Sequence, residues 1–551
     1  MATRISIAIF CALLLLSCGG GGGTGGTGGG SATGGGSGAT GGGSGATGGG
    51  SGATGGGSEA TGGGSGTGGS SGTGGSSGTG GGSGTGGSSG TGGGSTTTRT
   101  ITGQRQITFI TDTGSSVFAD RLSAGVDVAV ESQGTFTTLP GTVASNGTFT
   151  VPNVPAGPYY FHFRPNNYDF YVHTSSATID LGYAWAGRAD ISSASSPTPL
   201  TLSLSGLDAT SQTDGFTLTS TNAGMKEQDV LALAGALPPD GSTSASLTFD
   251  YARTRQPLLS AARGDTLVIA QLRRLMTPYP HYTATRGVTV TGTTLTSGQP
   301  ATVTATLAPL SPTTRALDVR LSQFEALRSE VHPQATAGPS QVTVQGLPGL
   351  TAMRGVAGGT STLLYVAVAP AGGDVNASFT FGNPFPSTVP LQLDVAKFFT
   401  LSVQAPGAAP APHRAAAYKR LALSALSGPV VAEVSPPRNV QVNGQAANVP
   451  LSGVGASPVI TWTAPSIGTP DRYDVVVQRL VNQGGQTAEV TVGVVRTKAT
   501  RVVLPPGLLA VGQSHLLTVT AAKTGLDLET KPFEIPVAQA SADAVIGPII
   551  P

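Results

Sequence analysis

Residues 147–173 read GTFTVPNVPAGPYYFHFRPNNYDFYVH, and this stretch predicts an antiparallel β fold. Asn166 and Asn167 accept the positive φ angles of a two-residue turn, so the segments on either side are predicted to form a hairpin. The pairs obtained by counting outward from the turn are Arg164 with Asp169, Phe163 with Phe170, His162 with Tyr171, Phe161 with Val172, and Tyr160 with His173. Because side chains alternate across a strand, one face of this hairpin is apolar and the other is polar and aromatic.

The polar face of the hairpin is the densest group of polar and aromatic side chains in a chain that is poor in charged and aromatic residues. Its members are Tyr160, His162, Arg164, Asp169, Tyr171 and His173. One interpretation is a surface for a small ligand or a sugar, or a weak metal site using the two histidines. The other is a solvated or interdomain sheet face, stabilised by cross-strand pairs worth a few tenths of a kcal/mol each. The second interpretation is favoured.

The rest of the chain supports the same fold class. Gly contributes 85 residues and charged residues only 10%, which is typical of a strand-forming, turn-rich chain. Runs such as PLTLSLSGL (199–207) and ATVTATLAPL (301–310) alternate with a period of two between turn residues. The sequence therefore predicts a mainly β protein, built as tandem antiparallel β-sandwich domains after a disordered Gly-rich tether.

The middle region, 186–430, has too many predicted strands for one small sandwich. We expect one large sandwich, or two packed together. One short helix is predicted near 322–332, where Ser322 and Glu325 form a capping box and Phe324, Leu327 and Val331 share one face. No catalytic constellation is recognisable in this region.

The N-terminus reads MATRISIAIFCALLLLSC, a secretory signal that is too short to remain as a membrane-spanning helix. Residues 15–18, LLSC, resemble the lipobox of bacterial lipoproteins, and this resemblance implies cleavage before Cys18 and acylation of that cysteine. Several acyl chains would hold the protein stably in a membrane. Position 19, directly after the cysteine, is Gly and not the Asp that resembles an inner-membrane retention signal. We therefore expect the protein at the outer membrane, exposed at the cell surface.

A tether follows the predicted lipidation site. Residues 19–94 contain 45 glycines in 76 positions, and Ser, Thr and Ala fill nearly all the others. Such a composition cannot bury apolar surface, so the segment is predicted to be disordered. Cys11 and Cys18 are the two cysteines, which leaves the exported domains without a disulfide and dependent on their hydrophobic cores.

Residues 112–115, DTGS, match the string that carries the catalytic carboxylate of pepsin-like proteases. That chemistry needs two carboxylates sharing a proton, and no second Asp-Thr-Gly or Asp-Ser-Gly occurs downstream. Asp and Gly also suit a tight turn, which is the favoured interpretation. Residues 147–163 resemble the carboxypeptidase-regulatory, prealbumin-like β-sandwich family through VPAG (154–157) and Tyr159. The resemblance covers about 80 residues and implies a turn at the Asp-Thr-Gly.

The C-terminal region contains SPPRNVQV (435–442), VITWTAP (459–465) and DRYDVVVQRL (471–480). These segments resemble a fibronectin type III domain over 436–540. The resemblance implies that Trp462, Tyr473 and Leu504 are core residues. His515 stands where this family usually places the tyrosine of its corner motif, so the module is expected to be a divergent member.

Charge and metal-ligand spacing exclude several functions. There are 29 Lys and Arg against 28 Asp and Glu, and no basic stripe that could neutralise a phosphate backbone, so nucleic acid is not an expected partner. The six histidines, at 162, 173, 281, 332, 413 and 515, are scattered, so no metal site is predicted. No cofactor is predicted either. The expected partner is the membrane, through Cys18, while a protein or glycan partner is not identified.

These observations predict a domain order and a function. The predicted segments are a signal peptide (1–17), an acylated cysteine with tether (18–98), the regulatory-like sandwich (99–185), a large β domain (186–430), the fibronectin-like domain (431–540) and a tail (541–551). The favoured function is a non-enzymatic cell-surface lipoprotein whose β modules serve binding or structural roles. The alternatives are a secreted-type hydrolase with a catalytic middle domain, and a carbohydrate-binding surface protein.

Overall fold

The computed structural model describes residues 97–347 and 361–551, apart from residues 121, 123, 124, 166, 236, 237 and 537. Cys18, the signal segment and nearly all of the tether lie outside the described residues. The described chain is mainly β, as predicted, and it has four large hydrophobic cores. We call the surrounding units the first (97–187), second (188–310), third (311–432) and fourth (433–551) modules.

The first module packs two sheets, β10-β1-β7-β6 and β9-β8-β4-β5, around Phe149, Phe161 and Val172. A third, smaller sheet has the order β11-β2-β3. The strands are β1 (Thr98–Gln104), β2 (Gln106–Thr111), β3 (Gly114–Ala119), β4 (Val126–Ser132), β5 (Thr135–Pro140), β6 (Thr142–Val143), β7 (Thr148–Pro155), β8 (Tyr159–Phe163), β9 (Asp169–Thr174), β10 (Thr178–Asp180) and β11 (Tyr183–Ala186). Asp112 and Thr113 form the turn between β2 and β3, so the Asp-Thr-Gly is a hairpin turn, as predicted.

The second module packs the sheet β15-β12-β18 against β14-β13-β16-β17, with Leu202, Phe216 and Ile269 in the core. Its strands are β12 (Pro199–Ser205), β13 (Gly215–Ser220), β14 (Met225–Asp229), β15 (Ser244–Asp250), β16 (Leu267–Leu275), β17 (His281–Val290), β18 (Ala301–Thr306) and β19 (Ala308–Pro309). Its helices are α1 (Val230–Ala234), which Asp229 caps, and two 3-10 turns, Tyr251–Thr254 and Ala261–Arg263.

The third module packs the pair β20-β23 against β22-β21-β24-β25. Its strands are β20 (Pro312–Val319), β21 (Thr336–Gly346), β22 (Ser361–Val368), β23 (Val375–Gly382), β24 (Leu391–Val403) and β25 (Ala411–Ala422). Its helices are α2 (Leu321–Glu325), α3 (Arg328–Val331) and the 3-10 turn Leu423–Ala425. The middle region thus contains two sandwiches, the second of the two arrangements expected from the sequence.

The helix predicted near 322–332 is divided into α2 and α3. Phe324, Leu327 and Val331 are buried in the core of the third module, as their spacing predicted. The predicted capping box is wrong, because α2 begins one residue before Ser322 and Arg320 occupies the cap position without a side-chain hydrogen bond. The Glu325 carboxylate instead pairs with the buried Lys397 ammonium at 2.9 Å.

The fourth module packs β27-β26-β29-β32 against β31-β30-β33-β34, with Trp462, Val475 and Val519 in the core. Its strands are β26 (Arg438–Val442), β27 (Gln445–Ala446), β28 (Leu451–Ser452), β29 (Val459–Thr463), β30 (Arg472–Gln483), β31 (Gln486–Thr497), β32 (Arg501–Val503), β33 (His515–Lys523) and β34 (Gln539–Ile550). The predicted tail, 541–551, is wrong. Most of it belongs to β34, because Ala542, Ile546 and Ile549 bury their side chains.

One continuous sheet of 18 strands joins the four modules. β17 of the second module pairs with β22 of the third, and β25 of the third pairs with β34 of the fourth. β31 of the fourth module pairs in parallel with β9 of the first. Asp112 of the first module donates its N–H to Asn222 Oδ1 of the second at 2.8 Å, which completes a circuit of contacts. Strands of other modules therefore pair with part of each edge of the fourth module's main sheet, β9 with residues 493–496 of β31 and β25 with residues 539–542 of β34.

Candidate functional site

The hairpin β24–β25, which we call the arm, lies across the outer face of the fourth module's main sheet. At its base, Ala417 of the arm is paired with Ala542 of β34, at one edge of that sheet. Near its tip, Ala409 bridges to Gln486 at the start of β31, at the other edge. Because the arm is fixed at both ends, it covers a sheet face that would otherwise be in contact with solvent.

A cavity of about 510 Å³ lies between the arm and this sheet. Side chains of the arm, of β30, β31, β33 and β34, and of the first module line it. The lining side chains used below are Asp394, Phe398, His413, Arg414, Tyr418, Arg420, Arg472, Asp474, Gln478, Glu489, Arg496, Thr518, Thr520, Asp543, Phe170 and Phe533. Arg414 is exposed and therefore marks a place where the cavity meets solvent. In a chain with only 10% charged residues, this is a dense collection of ionisable groups.

The side of the cavity that the arm forms contains a salt bridge between Arg420 and Asp394. The Arg420 Nε donates to Asp394 Oδ1 at 3.1 Å, and the Tyr418 hydroxyl donates to the same oxygen at 2.9 Å. The Gln392 amide adds a third donor at 2.7 Å. This carboxylate is buried but fully hydrogen-bonded, as a buried charge must be.

A second ionic cluster lies on the sheet. Asp474 accepts hydrogen bonds from Arg496 at 2.7 and 3.1 Å and forms a 3.1 Å salt bridge with Arg472. Burial alone would raise the pKa of Asp474, but the two guanidinium charges outweigh it and hold the pKa below its usual value. Asp474 is therefore ionised and committed to its two arginines.

The third cluster lies near the tip of the arm. His413 Nδ1 lies 3.0 Å from Glu489 Oε2, and the Gln478 amide donates to that same oxygen at 2.8 Å. The other ring nitrogen, Nε2 of His413, is buried and has no hydrogen-bond partner in the described part of the chain. His413 therefore retains unused hydrogen-bonding capacity at the cavity wall.

Asp543 lies between these clusters and has a different environment. Its carboxylate accepts the Thr520 hydroxyl at 2.7 Å and the Ala416 N–H at 2.8 Å, and it forms no salt bridge with any described residue. Burial raises its pKa, and the two hydrogen bonds offset only part of that rise. On the adjacent strand, the buried Thr518 hydroxyl also has no partner among the residues that the structure describes. Asp543, His413 and Thr518 thus have hydrogen-bonding capacity that the described residues leave unused.

The predicted hairpin face has the predicted register. β8 and β9 pair Phe163 with Phe170 and Tyr160 with His173, so the strand pairing is confirmed. The face is not an open surface, however. Tyr160 and Tyr171 are buried in the core of the fourth module, and the Tyr160 hydroxyl accepts the Val503 N–H at 3.0 Å. This is an interdomain sheet face, one of the two forms, solvated or interdomain, of the interpretation that the sequence favoured.

The charged members of that face bind one another. His162 lies 2.9 Å from both Asp127 and Asp169 through its two ring nitrogens, and Arg164 pairs with Asp169 at 2.5 Å. Burial would lower the pKa of His162, but the hydrogen bonds to the two carboxylates outweigh it and raise the pKa. His173 bonds Thr497 of the fourth module at 3.0 Å. The His173–Thr497 bond connects the first and fourth modules, whereas the other contacts lie within the first module, and together they leave little hydrogen-bonding capacity for a ligand.

The cavity residues were not predicted as a site from the sequence, although part of the signal was present. Alternation in DRYDVVVQRL (471–480) places Asp474 and Gln478 on one face of β30, opposite the core residues Val475 and Val477. An outward polar face of this kind is ordinarily solvated. Only the position of the arm, which depends on pairing between residues about 120 positions apart, turns it into a cavity wall.

Two further features bear on the predicted site residues. Among the described residues, no three His, Cys, Asp or Glu side chains are grouped in a way that would hold a metal ion. None of the helices in the described ranges has the length and hydropathy needed to cross a bilayer. Cys18, the predicted lipidation site, lies outside the described residues.

Comparisons with known proteins give little further information. No protein-family model matches the sequence, and no curated protein matches it. Among solved structures, a streptococcal ancillary pilin is 11% identical with a TM-score of 0.11, over 60% of this chain and 98% of that one. The FN1–FN3 domains of chicken CNTN1 are 12% identical with a TM-score of 0.12, over 64% and 99%. An Escherichia coli alpha-2-macroglobulin is 11% identical with a TM-score of 0.12, over 79% and 29%. At these scores the similarities support no functional conclusion.

Proposed function

We propose that this protein is a non-enzymatic lipoprotein of the bacterial surface, which binds a ligand with four β modules joined into one body. The observation that carries the proposal is the cavity under the arm. There, strands of separate modules enclose polar groups whose hydrogen-bonding capacity is not fully used. Concave sites with a few convergent polar groups are the usual form of ligand sites. The cavity volume, about 510 Å³, falls within their usual range of roughly 300–1,000 Å³.

The chemistry of the cavity favours binding over catalysis. Asp394 and Asp474 are held in arginine salt bridges, so neither is available as a base or a nucleophile. The His413–Glu489 pair resembles part of a catalytic triad, but no described Ser or Thr hydroxyl donates a hydrogen bond to this imidazole. A nucleophile beside its base, which an acyl-transfer enzyme needs, is therefore missing from the described site.

Membrane attachment is part of the proposal and rests on the sequence. The lipobox-like LLSC at 15–18 supports acylation of Cys18, and the Gly-rich segment supports a flexible connection to the folded modules. Fractionation of cells expressing the full chain tests this. The wild-type protein is expected in the membrane fraction and the Cys18→Ala variant in the soluble fraction. Retention of the variant in membranes would contradict the lipid anchor.

A hydrolase is the second candidate, and one observation favours it. Asp474 and Asp543 are both in register with Thr520, which lies on the strand between them. Two strand spacings separate them by about 10 Å at the backbone. The pKa of Asp474 is lowered and that of Asp543 is raised, which pairs an ionised carboxylate with a proton donor, but Asp474 would have to leave its two arginines to act as a base. Wild-type protein should release no product from chromogenic glycosides. Release that is abolished in Asp543→Asn would replace the binding proposal with a glycosidase.

A further inference from the structure

We propose that the cavity under the arm is a saccharide-binding site, specific for a neutral mono- or disaccharide. This inference rests on the binding function proposed above and names its ligand class. Three residues of the cavity lining carry it, Asp543, His413 and Thr518, because each has hydrogen-bonding capacity that the described residues leave unused.

The three groups differ in the partners that they require. Asp543 has no salt bridge with any described residue, and its carboxylate, when ionised, can accept more than the two hydrogen bonds it receives. The His413 and Thr518 side chains are only 6% and 8% exposed, so their unpaired atoms have little access to water. An unpaired buried polar atom is unfavourable, and each of these two atoms exposes less than 1 Å², so a ligand would satisfy them only where the side chains that cover them move aside. Hydroxyl groups suit this set, because each one both donates and accepts.

The charges of the lining disfavour a strongly anionic ligand. Four carboxylates line the cavity (Asp394, Asp474, Glu489 and Asp543), and so do four guanidinium groups (Arg414, Arg420, Arg472 and Arg496), so the formal charges 4 − 4 sum to zero with His413 neutral. Most are already committed to one another in salt bridges. An anion entering this site would lose its hydration without a free counter-ion, because Arg420, Arg472 and Arg496 already pair with carboxylates. A neutral polar ligand avoids that cost.

A zwitterion is the nearest competitor and fits less well. Its ammonium group could bond Asp543, but its carboxylate would need an arginine. Arg420 and Arg496 are already bonded to Asp394 and Asp474. Arg414 lies at the exposed mouth, where water screens its charge.

Aromatic side chains complete the site. Phe170, Phe398, Tyr418 and Phe533 all line the cavity. Guanidinium groups already lie over two of these rings, Arg496 over Phe170 at 5.2 Å and Arg420 over Tyr418 at 5.5 Å, so Phe398 and Phe533 offer the freer apolar surface. A sugar ring has apolar C–H faces as well as hydroxyl edges. The combination of hydrogen-bonding edges and apolar ring surfaces in one cavity matches both parts of such a ligand.

Isothermal titration calorimetry on the purified full chain tests the inference. The probes are glucose, galactose, mannose, N-acetylglucosamine, maltose and cellobiose, with glycine and glycine betaine as zwitterions. At least one saccharide is expected to bind, and neither zwitterion. Thr518→Val should weaken that binding by roughly two- to tenfold, the equivalent of one net hydrogen bond. Because this hydroxyl has no partner in the described fold, the variant should fold normally.

Thr304→Val is the matched control, since Thr304 is an exposed residue on a strand of the second module, away from the cavity. It should bind as the wild type does. Asp543→Asn is a second test and should weaken binding at least tenfold. Binding of none of the six sugars, binding of a zwitterion instead, or saccharide binding unchanged in both cavity variants would overturn the inference. Hydrolysis of a bound sugar would refute the non-enzymatic function while leaving the ligand class intact.

Discussion

Removal of residues 541–551 tests whether the end of the chain is a tail or a strand that joins modules. The truncation deletes most of β34, which pairs with β33 of its own module and with β25 of the third. Val545, Ile546 and Ile549 are at most 5% exposed, and burying each contributes about 1.5–3 kcal/mol. The three together contribute roughly 5–9 kcal/mol, before any loss of strand hydrogen bonds. That is comparable with the whole stability of a typical domain, about 5–15 kcal/mol.

Urea unfolding followed by tryptophan fluorescence measures the effect, because Trp462 is buried in the core of the fourth module. The truncated chain should lack the transition of that module or show it at a much lower urea concentration. Removal of Pro551 alone, which lies beyond β34, is the control and should change nothing. A truncated protein with the wild-type midpoint would refute the assignment of β34 as a structural strand.

Two further predictions concern buried charges. Asp474→Ala deprives two buried guanidinium groups of their shared carboxylate and should cost about 3–5 kcal/mol of unfolding free energy. Asp527→Ala, which breaks an exposed pair with Lys498, should cost at most about 1 kcal/mol. Equal losses in urea unfolding would contradict the burial of the Asp474 cluster. Burial raises the pKa of Glu227 from 4.5 to about 7. Glu227→Gln should therefore remove a pH-dependent penalty of about 3 kcal/mol.

The sign of the Glu227 effect follows from the two pKa values. Below pH 4.5 the carboxyl is protonated in both the folded and unfolded states, so it adds no pH dependence. Between pH 4.5 and 7 it ionises first in the unfolded chain, and wild-type stability falls as pH rises. Above pH 7 the loss is complete. The stability of Glu227→Gln relative to wild type should thus increase from pH 4 to pH 8, and a constant difference would contradict the burial of this carboxyl.

Local pattern was enough to predict much of the fold. The hairpin of β8 and β9 was predicted with its register, because turn residues and a period-two alternation specify both. The core positions Trp462 and Tyr473, which the resemblance to a fibronectin type III domain implied, lie in the core of the fourth module. These features depend on residues that are close in sequence.

The joining of the modules could not be predicted in the same way. β9 and β31 pair although more than 300 residues separate them, and no local pattern specifies that pairing. Gly493 marks the contact, because a Cβ there would lie 2.2 Å from Leu508 and 3.0 Å from the Asp169 carbonyl oxygen. A single glycine in a strand is too common a feature to indicate such a contact from sequence. The cavity was missed for the same reason, since its walls come from distant strands.

The central claim is that strands of separate modules form one sheet, with the arm held across the fourth module. Ala417→Cys combined with Ala542→Cys tests it directly, because these residues are opposite each other on β25 and β34. Their Cα atoms should lie within disulfide range. Mild oxidation and mass spectrometry should detect a 417–542 disulfide, and none in the off-register control Ala417→Cys with Ala544→Cys. No cross-link in the first variant, or equal cross-linking in both, would contradict the continuous sheet.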